Sequence, residues 1–434
     1  MPRSRITDEH RQQHREWLAA VTRIPTAAGR EGRVVDWVCN WFDQRPDLAM
    51  SRDASGNLVI SFHDATHATA PLYITAHLDH PAFVVDEVVG KRSARLAFRG
   101  GVMAEYFVDA DVEAFTADGE RIAGRITETP DAAKAKAGSG ADDGGMFPEY
   151  LAEFDASVEG LVVGDVARWS LGEPGFQELA SDVTLDGGPV ECVMTDACDD
   201  LAAVAAGLGA MDVLRGLRAQ GEAVGDVRLL LTRAEEIGFV GAIGACRDGT
   251  IERGARLIAL ENSRAFADSP IGGGPIVRVG DRLSIFTPAL TAAVASVAES
   301  ISGGPAEPKA SQKRSDLPDW RWQRKLMAGG ACEASVFCEF GHAATCVCLP
   351  LGNYHNMADL DAAQAGTLSG RPRVGQEHVA VSDYNGLIDL LVGCGLKLAS
   401  PMGEDLGVRF RDRLDKLWGE RCGVLREPVG HREA

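Results

Sequence analysis

The chain has 434 residues, 45% of them hydrophobic, with a formal net charge of -19. That length and apolar content support a large buried core, one big domain with an insertion being the simplest arrangement. The acidic balance argues against nucleic acid or an anionic membrane surface as partner, since both select for clustered Lys and Arg.

The N-terminal stretch "MPRSRITDEHRQQHREWLAAV" lacks an apolar run followed by a small-residue cleavage site, and no stretch of about 18 apolar residues occurs, so a cytoplasmic location is the expectation. Ten cysteines are scattered without a CxxC pair, which fits small buried hydrophobes better than disulfides or a zinc ribbon.

In chain order, apolar residues recur at helical spacing over residues 8–46, broken at "IPTAAG", and predict two helices. "GNLVISF" and "PLYITAH" follow as short β-branched and aromatic runs bounded by turn residues, and read as strands. Over residues 88–189 the texture becomes β-rich: "DVEAFTADGERIAGRITE" reads as a hairpin around Asp118 and Gly119, and "VEGLVVGDVARWSL" as a further strand pair. "AAKAKAGSGADDGG" between them reads as a small-residue loop.

Beyond it, "DDLAAVAAGLGAMDVLRGL" is helical, while "VRLLLTRAEEIG" and "ARLIALENS" are apolar runs ending in acids. "GGGPIVRVGD" reads as a turn into a strand. The alternation predicts an α/β fold, a mostly parallel sheet flanked by helices, with a small β-rich barrel-like domain inserted. The expected division is a discontinuous domain of residues 1–87 and 190–434, interrupted by 88–189.

In parallel sheets, ligands sit beyond the C-terminal strand ends. There the chain places His77 and Asp79, Glu235 and Glu236, and Glu261; "TDACDD" adds Asp199 and "LPLGNYHN" adds His355. Each alone has an ordinary reading as a solvated strand end, a helix cap or a surface loop residue. Together they are the donor set for two divalent cations that share a carboxylate and activate a water, with one further carboxylate left to move protons. Residues i and i+2 of an extended strand face the same side, so Asp79 can orient the His77 ring, whereas His80 faces the other way.

The ordered motifs "AHLDH", "CDDLAA", "AEEIG", "ALENS" and "GNYHN", with "FRGGVMAEY" and "GLVVGDVARW" in the insertion, resemble the glutamyl aminopeptidase family of dinuclear metallopeptidases, which includes tetrahedral aminopeptidase particles. The resemblance spans nearly the whole chain and implies a zinc-peptidase-like fold. It implies His77, Asp199, Glu236, Glu261 and His355 as ligands of two divalent ions, zinc first, then cobalt or manganese. Asp199 would be the bridge, Glu235 the general base and Asp79 its catalytic neighbour.

The resemblance also implies peptide substrates and homo-oligomers formed through the insertion. The chain departs from the family at His80, where Glu is usual, at Leu201, where Arg is usual, and at "GGACEAS" in place of Gly-Gly-Thr-Asp. His80 and Glu333 are therefore the expected substrate-binding positions. Residues 357–378 form a longer connection than the family's, either a rim loop over the site or a plain surface loop. The expected function is an aminopeptidase. The alternatives are a related amidohydrolase, such as a deacylase or a carboxypeptidase, and a catalytically silent assembly protein of the same fold.

Overall fold

The computed structural model describes residues 5–63, 70–130, 146–307, 318–399 and 408–422. Two amphipathic helices, Asp8–Val21 and Gly32–Asp43, come first. The first begins with a capping box, the Thr7 side chain accepting from the His10 backbone and the His10 ring facing the Thr7 backbone N–H. Strands β1 (Leu48–Arg52), β2 (Leu58–Phe62) and β3 (Leu72–His77) follow, and every residue of β3 is buried.

A closed six-stranded barrel comes next: β4 (Ala82–Gly90), β5 (Ser93–Arg99), β6 (Asp111–Phe115), β7 (Arg121–Glu128), β8 (Glu149–Phe154) and β9 (Val166–Trp169). Alternating inward residues fill it, with Phe83, Phe98, Phe107, Tyr150 and Trp169 packed ring against ring. The hairpin around Asp118 and Gly119 forms as β6 and β7, paired antiparallel. The expected second strand pair does not: only β9 is a strand there, because Gly164 takes a left-handed φ of 98° and turns the chain before Asp165. The "AAKAKAGSGADDGG" loop lies outside the described residues.

The chain then returns to the main body through β10 (Gly175–Leu179) and β11 (Val190–Thr195), which pair antiparallel. Helix Leu201–Ala219 is buried along most of its length. Its small residues allow close approach to the sheet: a Cβ on Gly207 would lie 2.8 Å from a methyl of Leu229. Strands β12 (Val227–Thr232), β13 (Arg256–Arg264), β14 (Ile276–Asp281), β15 (Gln323–Met327), β16 (Ala343–Leu351) and β17 (Glu377–Ala380) complete the strands.

The large sheet has eight strands in the order β1-β2-β12-β3-β13-β16-β14-β15. Its centre, β12, β3, β13 and β16, is parallel throughout, so four C-terminal strand ends open on the same side. β17 joins β10 and β11 in a separate three-stranded sheet. Helices Pro288–Ser302 and Val381–Lys397 pack with Leu201–Ala219 in the main core. The charged C-terminal stretch, featureless in sequence, contains helix Val408–Arg421.

Candidate metal centre and cleft

The four parallel strands deliver the site. His77 is the last residue of β3, Glu235 and Glu236 follow β12, Glu261 lies in β13, and His355 follows β16; Asp199 stands just ahead of helix Leu201–Ala219. Asp199 lies between the two histidines, its Oδ1 3.4 Å from His77 Nε2 and its Oδ2 3.5 Å from His355 Nε2. His355 Nε2 is also 3.5 Å from Glu236 Oε2. On the other side, His77 Nε2 is 3.9 Å from Glu261 Oε1 and 4.0 Å from Glu235 Oε2. The adjacent glutamates diverge, Glu235 toward His77 and Glu236 toward His355, after a turn in which Ala234 has a φ of 53°.

Backbone contacts set the faces these groups present. His77 Nδ1 donates to the Asp79 carbonyl at 3.1 Å and His355 Nδ1 donates to the Gly101 carbonyl at 2.7 Å. With the ring hydrogen held at Nδ1, each histidine can turn an Nε2 lone pair toward the acids. The Asp79 carboxylate lies 3.5 Å from His77 Nδ1, but its hydrogen bonds come from the backbone N–H groups of Glu235 and Glu236, at 2.9 and 3.1 Å. Asp79 thus fixes the His77 ring through its carbonyl and the turn carrying the two glutamates through its carboxylate.

Four further groups, none singled out by sequence motif, complete the frame. Glu377 accepts from the backbone N–H groups of Cys198 and Asp199 through Oε2 and of His355 through Oε1. Asn262 Nδ2 donates to the Cys198 carbonyl and to Asp200 Oδ1, while Asp200 Oδ2 accepts the His77 N–H. Glu31 accepts the Ala234 N–H and pairs with Arg233 at 2.7 Å.

The charges are unbalanced. Burial and mutual repulsion push the carboxyls of Glu235, Glu236 and Glu261 well above the usual range, and burial does the same to Asp200. Burial opposes ionisation of Asp199 too, yet the neighbouring His355 and His77 rings hold it well below the usual carboxylate range. Burial works against a charge on His77, but Glu235 and contacts with Asp199, Asp79 and Glu261 raise it well above an ordinary imidazole. Asp199 Oδ1 and Glu236 Oε1 are buried with no hydrogen-bond partner. Buried acids in such numbers call for positive charge. Among the described residues three groups have ligand atoms within 4.8 Å of one another: His77, Asp199, Asp200 and Glu261; Asp199, Glu236 and His355; and His77, Glu235 and Glu236, the first two sharing Asp199.

The acids floor a cleft of about 520 Å³. Tyr354, stacked on the His355 ring at 3.7 Å, and Met357 and Leu360 line one part of it. Arg278 and Lys325 line another. Arg278 is only 4% exposed; its Nε donates to Cys348 Sγ at 2.9 Å, and its Nη atoms have no hydrogen-bond partner among the described residues.

The two expected substrate positions are not among the cleft-lining residues. The His80 ring is buried behind Asp199, with Nδ1 at the Asp199 carbonyl and Nε2 3.0 Å from Asn356 Oδ1. Glu333 starts the helix Glu333–Glu339 and is buried, its Oε2 3.5 Å from the Thr75 hydroxyl, and burial pushes its carboxyl up to about 7.

The profile of the M42 glutamyl aminopeptidase family matches residues 56–302. No curated protein matches the chain in sequence. Among solved structures, the TET1 peptidase of Pyrococcus horikoshii, which can assemble into a tetrahedron or a large octahedral shell, is 19% identical, with a TM-score of 0.63 over 89% of this chain and 100% of that one. The TET aminopeptidase of a marine sediment thaumarchaeon is 18% identical, with a TM-score of 0.65 over 91% and 99% of the two chains. An aminopeptidase of Desulfurococcus kamchatkensis is 20% identical, with a TM-score of 0.63 over 90% and 96%. At this identity the likeness shows the fold, an α/β body with a β-barrel.

Proposed function

The chain belongs to the M42 glutamyl aminopeptidase family, and from that premise we propose that it removes N-terminal residues from peptides with two divalent cations and Glu235 as general base. The observation that carries this reading is Asp199, which turns one carboxylate oxygen to His77 and the other to His355.

The donor set suits cations. Unpartnered oxygens on Asp199 and Glu236 sit among histidines whose ring hydrogens are directed away. His77, Asp199 and Glu261 would hold one ion, and Asp199, Glu236 and His355 the other. Imidazole and carboxylate suit zinc first and accept cobalt or manganese. When bound, such ions polarise a carbonyl and make water acidic enough to attack near neutral pH.

Glu235 carries the proton. It lies outside both sets that share Asp199, although it joins His77 and Glu236 in a third group of possible ligand atoms, and burial makes its carboxyl hold a proton more readily than a solvated one. Its carboxylate takes a proton from the attacking water. The water oxygen bonds to the scissile carbonyl carbon, the C–N bond breaks, and Glu235 returns the proton to the leaving amine. Asp79 acts through others: it holds the His77 ring and the Glu235 backbone in register.

The reading includes a homo-oligomer formed through residues 88–189, in keeping with the assemblies of the structural neighbours, and a cytoplasmic location. Among the described residues no helix is long and apolar enough to cross a membrane. The test is hydrolysis of dipeptides with free or acylated N-termini, with chelator and with added zinc, cobalt or manganese. Metal-dependent cleavage of free amines is expected; exclusive cleavage of blocked substrates would reject the reading in favour of a deacylase.

A further inference from the structure

The chain leaves the centre at His355 and almost at once comes back to it. Met357 and Val374 form an isolated antiparallel bridge, the Ala358 N–H donates to the Arg373 carbonyl at 3.2 Å, and the Gly375 N–H donates to the Asn356 carbonyl at 2.8 Å. Everything from Asp359 to Pro372 is therefore an excursion closed at its neck. It carries a short helix, Leu360–Ala365, stopped by Gly366 at a φ of 66°.

That excursion is braced from two directions. On the barrel side, Tyr106 donates to the Ala358 carbonyl at 2.7 Å, Met357 and Leu360 pack with the Tyr106 ring, and Arg371 pairs with Asp109 at 2.6 Å. On the sheet side, Arg264, the last residue of the strand that carries Glu261, donates to Gln364 Oε1 at 2.8 Å and pairs with the Asp361 carboxylate. A decorative surface loop has no need of anchors on both bodies of the protein. Leu360, Gln364 and Met357 meanwhile form part of the cleft lining.

We propose that the segment Asp359–Pro372 is a fixed wall across one end of the cleft, which restricts the enzyme to short peptides. The inference rests on the aminopeptidase reading and adds the substrate class: short peptides, with longer chains excluded by the wall rather than by the chemistry. The cleft's volume of about 520 Å³ is that of a small-molecule site rather than of a groove for an extended chain. On this reading a longer peptide meets Leu360, packed with Tyr106, and Gln364, held by Arg264.

The experiment is a length series, from dipeptide to octapeptide, sharing one N-terminal residue. It is run on the full chain and on a variant in which 359–372 is replaced by two glycines, a shortcut the Ala358–Arg373 hydrogen bond makes sterically simple. For the full chain kcat/KM is expected to fall at least tenfold between tripeptide and hexapeptide, and in the shortened variant the fall should shrink to less than threefold. Metal stoichiometry and the melting profile check that the variant is folded. Asp361→Arg, which sets like charges against each other at the Arg264 contact, should shift the profile in the same direction should the shortened chain misfold. A full-length chain that cleaves hexapeptides as well as tripeptides, or a length profile unchanged in the folded variants, overturns the wall and leaves the aminopeptidase reading intact. Failure to cleave any length overturns that reading and the length limit with it.

Discussion

The Glu377 carboxylate accepts the backbone N–H of Asp199 at 3.0 Å. Its other oxygen accepts the His355 N–H, so one buried side chain sets the spacing between the proposed bridge and a proposed ligand. Glu377→Ala is expected to weaken divalent-metal affinity by about 10- to 100-fold, the usual effect of removing a group that orients ligands. Glu377→Gln, which keeps one acceptor, should fall between the two; metal titration by calorimetry measures both.

Glu235→Gln keeps the side chain's shape and the backbone contact to Asp79 but cannot take a proton. A drop in kcat of about 10²- to 10⁴-fold is expected, with bound metal and KM little changed. Full activity with metal in place would remove Glu235 from the proton path.

Chelation should lower thermal stability as well as activity, because cations that bind only the folded state stabilise it by mass action, about 2.7 kcal/mol at a hundredfold excess over Kd. A melting midpoint that falls on dialysis against chelator and recovers with zinc, cobalt or manganese is the expected result. An unchanged midpoint would argue against a cation among His77, Asp199, Glu236, Glu261 and His355.

Arg278 brings a nearly buried guanidinium into the cleft with no carboxylate opposite it among its hydrogen bonds. Among the described residues only the Cys348 thiol, which burial pushes up but Cys346 and Arg278 shift down to about 6, accepts from the guanidinium, and the Nη atoms are left to meet an acidic side chain of the substrate. Arg278→Met should lower kcat/KM for N-terminal Glu or Asp at least tenfold while changing N-terminal Ala by less than threefold, read on matched dipeptides.

His14 governs an acid response remote from the cleft. Its ring is fully buried between helices and neither nitrogen has a hydrogen-bond partner; burial lowers its pKa to about 4 from the ordinary 6.5. Above pH 6.5 the ring is neutral in both folded and unfolded chains and has no effect. As pH falls from 6.5 toward 4 the unfolded chain gains a proton that the folded one refuses, so stability is lost, by up to roughly 3 kcal/mol. His14→Leu should remove this component, seen as a smaller difference between urea midpoints at pH 7 and pH 5.

The strand-end acids and histidines could be read from sequence because the relevant signal is local: an apolar run that stops at a polar residue, repeated for His77, Glu235 and Glu261. The central parallel sheet followed from the same runs. Glu377 and the Gly101 carbonyl could not be read that way, since they act on backbone groups of residues far away in the chain and carry no spacing signature. His80 and Glu333 attracted attention as departures from a family pattern, but a departure marks a changed neighbourhood rather than a place in the cleft. One ring props the Asp199 backbone and the other carboxyl is buried beside Thr75. The strand pair expected at "VEGLVVGDVARWSL" failed at Gly164, where backbone geometry outweighed a β-branched composition.

The hydrogen bond from His355 to Gly101 joins an early part of the chain, in the loop after β5, to one of the last residues of the centre to be synthesised. A nascent polypeptide that has not yet released residue 355 from the ribosome has neither the second histidine nor the carboxyl of Glu377 to set it. The proposed centre is thus completed only when the chain is nearly finished, by residues that close onto a loop made long before them.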